Sequence, residues 1–200
     1  MAEKSQKQHY TQELDQEILS ASYKVHTSWH VITGAPCSGK TTLIELLSQA
    51  GFQIAHETAR EYFEVEMAKG RTSQEIRDSG HSTQIAIFQM QRDLENELPH
   101  REDIFLDRGL PDTLTFHRLF GLNPDELLPA CLEHQYASVF ILDRLPFERE
   151  AKLGPEDEKS ARFIDKWLER DYTSLRYQIV RVPVYPPKER LTFVLDRISG

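Results

Sequence analysis

Eight consecutive residues, Gly34-Ala35-Pro36-Cys37-Ser38-Gly39-Lys40-Thr41, fit the pattern G-x-x-x-x-G-K-[ST] at every position. Glycines at both ends let the backbone curl so that successive N–H groups face inward, and a helix starting at Lys40 adds its positive end to that nest. The chemistry this permits is the cradling of a polyphosphate. Lys40 reaches the β- and γ-phosphates as a mobile charge, and the Thr41 hydroxyl offers an oxygen to Mg²⁺. The expected nucleotide-binding set is therefore Gly34, Ala35, Pro36, Cys37, Ser38, Gly39, Lys40 and Thr41, with Thr42 behind them.

Two further groups of residues have the types needed to act on such a ligand. Glu57-Thr58-Ala59-Arg60 follows a short apolar run, where Glu57 can orient an acceptor hydroxyl and Arg60 adds a cation; the alternative is that Glu57 only opens the next helix. Asp107 closes the apolar run Ile104-Phe105-Leu106, a position from which a carboxylate holds Mg²⁺ or Thr41, and Arg108 comes next. Hydrolytic ATPases usually carry a glutamate at that next position to activate water. An arginine there grips a phosphate or an acceptor and points to transfer. The expected catalytic residues are Lys40, Glu57, Arg60, Asp107 and Arg108, with Thr41 and Asp107 as metal ligands. Downstream, Arg144 to Ser160 is dense in alternating charge around Gly154-Pro155, as a loop covering a phosphate would be. Its cations Arg144, Arg149 and Lys152 are candidates for the nucleotide, and the choice among them stays open.

The elements that must hold these residues follow from hydrophobic spacing. Trp29–Thr33 reads as a buried strand before the loop, and Leu43, Ile44, Leu46, Leu47 and Ala50 recur at helical spacing after it. Further strands are expected at Phe52–His56, Asp103–Asp107, Ser138–Leu142 and Tyr177–Val182. Helical patterns lie between them, including a short helix from Asn123 to about Gln135. Alternation of strands and helices predicts an α/β domain with a parallel sheet covered on both faces. Residues 29–200 are expected as one domain, and residues 1–28 as a polar tail with a faint helical stripe at Leu14, Ile18 and Leu19.

A formal charge of −8 argues against a nonspecific nucleic-acid binder. The two cysteines, Cys37 and Cys131, make no disulfide framework, and Cys37 within the loop raises the further option of redox-sensitive binding. No stretch has the length of a membrane span, so no membrane partner is expected and the cytosol is the default compartment.

Taken in order, the loop Gly34–Thr41, the segment His56-Glu57-Thr58-Ala59-Arg60-Glu61-Tyr62, the segment Asp107-Arg108-Gly109-Leu110-Pro111-Asp112 and the ending Val182–Arg190 resemble a family of small P-loop NTPases. These are the AAA-like single-domain ATPases grouped near the nicotinamide riboside kinase domain. The resemblance covers nearly everything after Trp29. It implies a three-layer fold with five parallel strands in the nucleotide-kinase-like order 2-3-1-4-5, an acceptor-contacting acid at Glu57, an Asp-Arg pair at Asp107 and Arg108, and an arginine-bearing lid. ATP and Mg²⁺ are the implied cofactors, with a nucleotide and a small hydroxyl-bearing acceptor, a nucleoside or a nicotinamide riboside-like compound, as partners. The leading expectation is a kinase. The other is a slow ATPase or GTPase acting as a switch on a protein partner, against which stand the absence of a guanine-reading Asn-Lys-x-Asp and of a glutamate after Asp107. A protein partner or a homodimer stays open.

Overall fold

The structure is a computed structural model that describes residues 9–146 and 155–198. Its centre is a parallel sheet of five strands, β2 (Trp29–Thr33), β3 (Gln53–Ala55), β4 (Ile104–Asp107), β6 (Ser138–Leu142) and β7 (Ile179–Val182). They lie in the order β3-β4-β2-β6-β7, which is 2-3-1-4-5 when the five are counted along the chain. The expected architecture and order are therefore both present. β2 sits in the middle, pairing Val31 with Leu106 on one side and with Val139 on the other.

The strands read as continuous apolar runs because both faces are covered. Alternation along each strand divides the core in two. Trp29, Val31, Ile104, Leu106, Val139 and Ile141 face one way, with Leu110, Leu114, Leu168 and Tyr172 in the same cluster. Ile32, Phe105, Phe140 and Leu142 face the other, with Leu43, Leu47 and Val194. The first layer is built largely by α5 (His81–Glu97), α6 (Asp112–Leu119) and α7 (Pro155–Ser174), and the second by α2 (Lys40–Gln49) and α8 (Pro187–Ile198). α3 (Thr58–Ala68) and α4 (Ser73–Asp78) connect β3 to α5. A capping box at Thr72 and Glu75 starts α4.

Two expectations need correction. The segment from Asn123 to Gln135 is not a helix but two 3₁₀ turns, Pro124–Glu126 and Ala130–Leu132, followed by the short strand β5 (His134–Gln135). Pro129 lacks the N–H a continuing helix would use there. The N-terminal segment, read from its polarity as a tail, is laid onto the domain from Tyr10 onward. Tyr10 donates its backbone N–H to the Arg118 carbonyl, and Asp15 caps α1 (Gln16–Leu19). Leu14 and Leu19 are buried in the core, and β1 (Val25–His26) pairs in parallel with β5. Arg118 and Arg176 add to that grip through the carbonyls of Gln12, Leu19 and Ala21, and Tyr23 OH donates to the Leu175 carbonyl.

Candidate active site

The carboxyl ends of β2, β3 and β4 lie side by side, so the residues that leave them converge, as ligand-binding residues do in open α/β sheets. From β2 the chain enters the loop. Gly39 has φ 83°, in the left-handed region where a side chain is strained, and α2 starts at the next residue. A Cβ on Gly34 would meet the Ser38 hydroxyl at 2.7 Å, so the first loop glycine is required by close approach. Ser38 is buried and its hydroxyl has no partner among the described residues, whereas Ala35 is buried and Cys37 is exposed with φ 62°. Thr41 and Thr42 lie exposed on the first turn of α2.

Lys40 is buried and ion-paired with Asp107, and its Nζ lies 3.5 Å from Glu57 Oε2. Arg108 closes the group from the other side. Its Nε donates to Glu57 Oε1 at 2.6 Å, and its Nη1 donates to Asp112 Oδ1 at 2.9 Å and to the Gly34 carbonyl at 3.3 Å. Four of the five expected catalytic residues are thus brought together. Arg60, the fifth, is exposed on the first turn of α3 and makes no ion pair among the described residues.

Glu57 precedes α3 as its cap residue, yet its side chain makes no capping hydrogen bond. Its carboxylate is committed to Arg108 and Lys40 instead, which decides against a purely helix-starting role. Burial pushes its pKa up, but Arg108 and then Lys40 outweigh that and hold it below its ordinary value. For Arg108 burial works against the charge, and Glu57 and Asp112 reverse the sign, leaving a fixed cation.

Asp112 is missing from the sequence-derived set and is the hub of the arrangement. Its Oδ1 accepts from Arg108 and from Thr33 Oγ1 (2.5 Å), and its Oδ2 from Tyr172 OH (2.7 Å) and the Gly109 N–H (3.2 Å). A Cβ at Gly109 would meet the Tyr172 hydroxyl at 2.9 Å and that of Tyr136 at 3.0 Å, so the glycine lets the turn press onto these rings. Arg108 itself has φ 76°, a conformation costly for a side-chain-bearing residue and held here by these bonds. Beneath the turn, Gln91 donates to the Arg108 carbonyl (3.3 Å) and accepts from Thr58 (2.8 Å), tying the residue after Glu57 to the same turn. The only advance signal for Asp112 was its place at the end of the segment Asp107-Arg108-Gly109-Leu110-Pro111-Asp112; Gln91 left none, since its partners are distant in sequence.

The donor set suits Mg²⁺, which takes oxygen ligands, few of them from protein and the rest from phosphate and water. Asp107 uses Oδ1 for Lys40, and Oδ2 has no protein donor among the described residues. Among those residues no group of three His, Cys, Asp or Glu side chains is arranged to hold a metal. Of the lid candidates, Arg144 binds Glu158 near the start of α7 through Nη1 (3.0 Å) and Nη2 (2.5 Å). Arg149 and Lys152 lie outside the described residues. Beside Gly39 and Thr42 opens a cavity of about 500 Å³, walled by Leu145, Tyr185, Pro187 and Arg190.

The sequence model of the family AAA_28, described as an AAA domain, matches residues 29–190. Among solved structures the chain is similar to a deoxyadenosine kinase from M. mycoides with dCMP and dCDP bound, with a TM-score of 0.61 and 18% identity over 86% of this chain and 98% of that one. It is similar to the NadR protein in complex with NR, with a TM-score of 0.66 and 17% identity over 86% of this chain; the match covers half of the NadR chain. It is also similar to thymidylate kinase from Ehrlichia chaffeensis, with a TM-score of 0.57 and 13% identity over 88% of this chain and 99% of that one. At these identities the likeness is one of fold. No curated protein matches the chain.

Proposed function

The chain belongs to the AAA-domain family whose sequence model spans residues 29–190, and from that premise we propose that it is an ATP-dependent phosphotransferase acting on a small hydroxyl-bearing metabolite, a nucleoside or a nicotinamide riboside-like compound. The observation that carries this reading is the contact between Arg108 and Glu57 beside Lys40 and Asp107, in a chain with no glutamate after Asp107. Similarity in fold to solved kinases supports it.

Phosphoryl transfer asks mainly for positioning and charge neutralisation. The loop N–H groups and Lys40 hold the β- and γ-phosphates, and Arg108 faces the phosphoryl group in flight. Thr41 and Asp107 are the residues that would hold Mg²⁺, which would supply neutralisation of the phosphate charge. Glu57 stays ionised and is a weak base, so its work is to accept a hydrogen bond from the acceptor hydroxyl and aim its oxygen; a loose transition state leaves the proton to be given up late. The cavity beside Gly39 has the apolar walls a nucleotide base needs.

The test is release of nucleoside diphosphate from Mg·ATP and Mg·GTP across a panel of nucleosides, nicotinamide riboside and other metabolites, with Lys40→Ala as the blank. Acceleration by one acceptor that also gains the phosphate supports the proposal. Tight nucleotide binding with slow turnover that no acceptor changes would replace it with a nucleotide-dependent switch.

A further inference from the structure

Arg190 lies in α8, 152 residues beyond Ser38 of the loop in sequence, and is 3% exposed. Its guanidinium is satisfied by three backbone carbonyls. Nη1 donates to Ser38 (2.5 Å), Nη2 to Asp143 (3.0 Å) and Nε to Pro183 (2.8 Å). No carboxylate is paired with it among the described residues, and burial lowers its pKa, with Asp143 opposing. Burying a cation against neutral acceptors is costly, so the contact calls for a reason beyond packing.

The reason lies in the peptide unit that Arg190 holds. In a trans peptide the C=O of one residue and the N–H of the next point in opposite directions. Fixing the Ser38 carbonyl therefore fixes the Gly39 N–H the other way. That peptide precedes a glycine in the left-handed region, where rotation of the whole unit meets little steric resistance. The Gly39 N–H makes no hydrogen bond to protein among the described residues, as a donor reserved for a phosphate oxygen would be. A Cβ on Gly39 would lie 3.1 Å from Arg190 Nη1, so the guanidinium is packed directly against the glycine it controls.

We propose that Arg190 is a positioning residue for the phosphate loop, holding the Ser38–Gly39 peptide so that the Gly39 N–H is presented to a polyphosphate. The proposal rests on the reading that the loop binds one. Through the carbonyls of Asp143 and Pro183 the same side chain ties the loop to the ends of β6 and β7.

The experiment measures binding of Mg·tripolyphosphate, which reports on the nest alone, and of adenosine, which reports on the cavity. Arg190→Lys keeps the charge but carries its donors on one nitrogen, in place of the planar fork whose three nitrogens reach three separate carbonyls. Loss of one oriented donor to an anion should weaken tripolyphosphate about ten- to a hundredfold, well beyond any change in adenosine affinity, since Arg190 is only one of the residues that wall the cavity. Unchanged tripolyphosphate binding in the variant, or equal loss of both ligands, would overturn the proposal. If the variant does not fold, the intact protein gives the answer by NMR. A coupling across the hydrogen bond from Arg190 Nη1 to the Ser38 carbonyl carbon should persist when tripolyphosphate is added while the Gly39 amide resonance moves. Disappearance of that coupling would mean that Arg190 leaves the loop to meet the anion, and would sink the idea. Wild-type protein that binds no tripolyphosphate would refute the polyphosphate reading and the proposal with it, an outcome distinct from normal wild-type binding with an unaffected variant.

Discussion

Replacing Asp112 by asparagine should destabilise the protein by an amount its four hydrogen bonds allow to be worked out. The carboxylate is 2% exposed and accepts two donors on each oxygen. The variant amide can keep its oxygen toward Arg108 and Thr33, which places its NH₂ against the Tyr172 hydroxyl and the Gly109 N–H. The hydroxyl can turn and accept; the backbone N–H cannot. One orphaned buried donor costs about 1–3 kcal/mol, and changing the Arg108 bond from ionic to neutral removes about 1 more. Glu57 still neutralises Arg108, so the larger penalty of a lone buried charge is avoided. The expected loss is about 2–4 kcal/mol from a total that for domains of this kind is about 5–15. Urea unfolding measures it as a fall in midpoint with an unchanged slope. Tyr172→Phe alone should also cost stability, but in the Asp112→Asn background it should cost much less, because the hydroxyl no longer donates to an anion. An Asn variant within about 1 kcal/mol of wild type, or strict additivity of the pair, would refute this account of the hub.

Glu57→Gln keeps the side-chain volume but presents no anion to the acceptor hydroxyl, and should lower phosphoryl transfer by about 10²–10⁴-fold while Mg·ATP titration shows binding nearly intact; lost nucleotide binding would make Glu57 a structural residue. Burial raises the Glu95 carboxyl from 4.5 to about 7, despite the donors Gln91, Tyr136 and the Leu110 N–H. The folded chain then holds a proton that the unfolded chain releases, so stability should fall as pH rises from about 4.5 to about 7 and level off above. Urea midpoints measured at intervals across that window should show the slope in wild type and a flatter line in Glu95→Gln; identical slopes would assign the pH dependence elsewhere.

The phosphate loop, its strand and its helix were legible because the motif is local and its flanks carry two different periodicities; Trp29–Thr33 and Ser138–Leu142 have the expected bounds. Lys40, Glu57, Asp107 and Arg108 were legible for a related reason. Each stands at or just past a strand end or a loop, and strand ends in a parallel sheet face one way. What supports them was not. Asp112 meets Tyr172 across 60 residues, and Arg190 meets Ser38 across 152, so no spacing reports either contact. The N-terminal segment was misread for the same reason, since two buried leucines leave little periodicity and most of its other anchors are backbone groups, which every residue has.

That segment also bears on how the chain is made. Residues 10–27 are synthesised before any strand of the main sheet, yet the groups that hold them are Arg118, Asp125, Leu132 to Gln135, and finally Leu175 and Arg176. On a ribosome, where chains emerge N-terminus first, Leu14 and Leu19 therefore stay uncovered until nearly the whole domain has been translated. These residues leave the exit tunnel ahead of the main sheet yet are among the last to find their place, and they close over α7 only once the helix that carries Tyr172 has been completed.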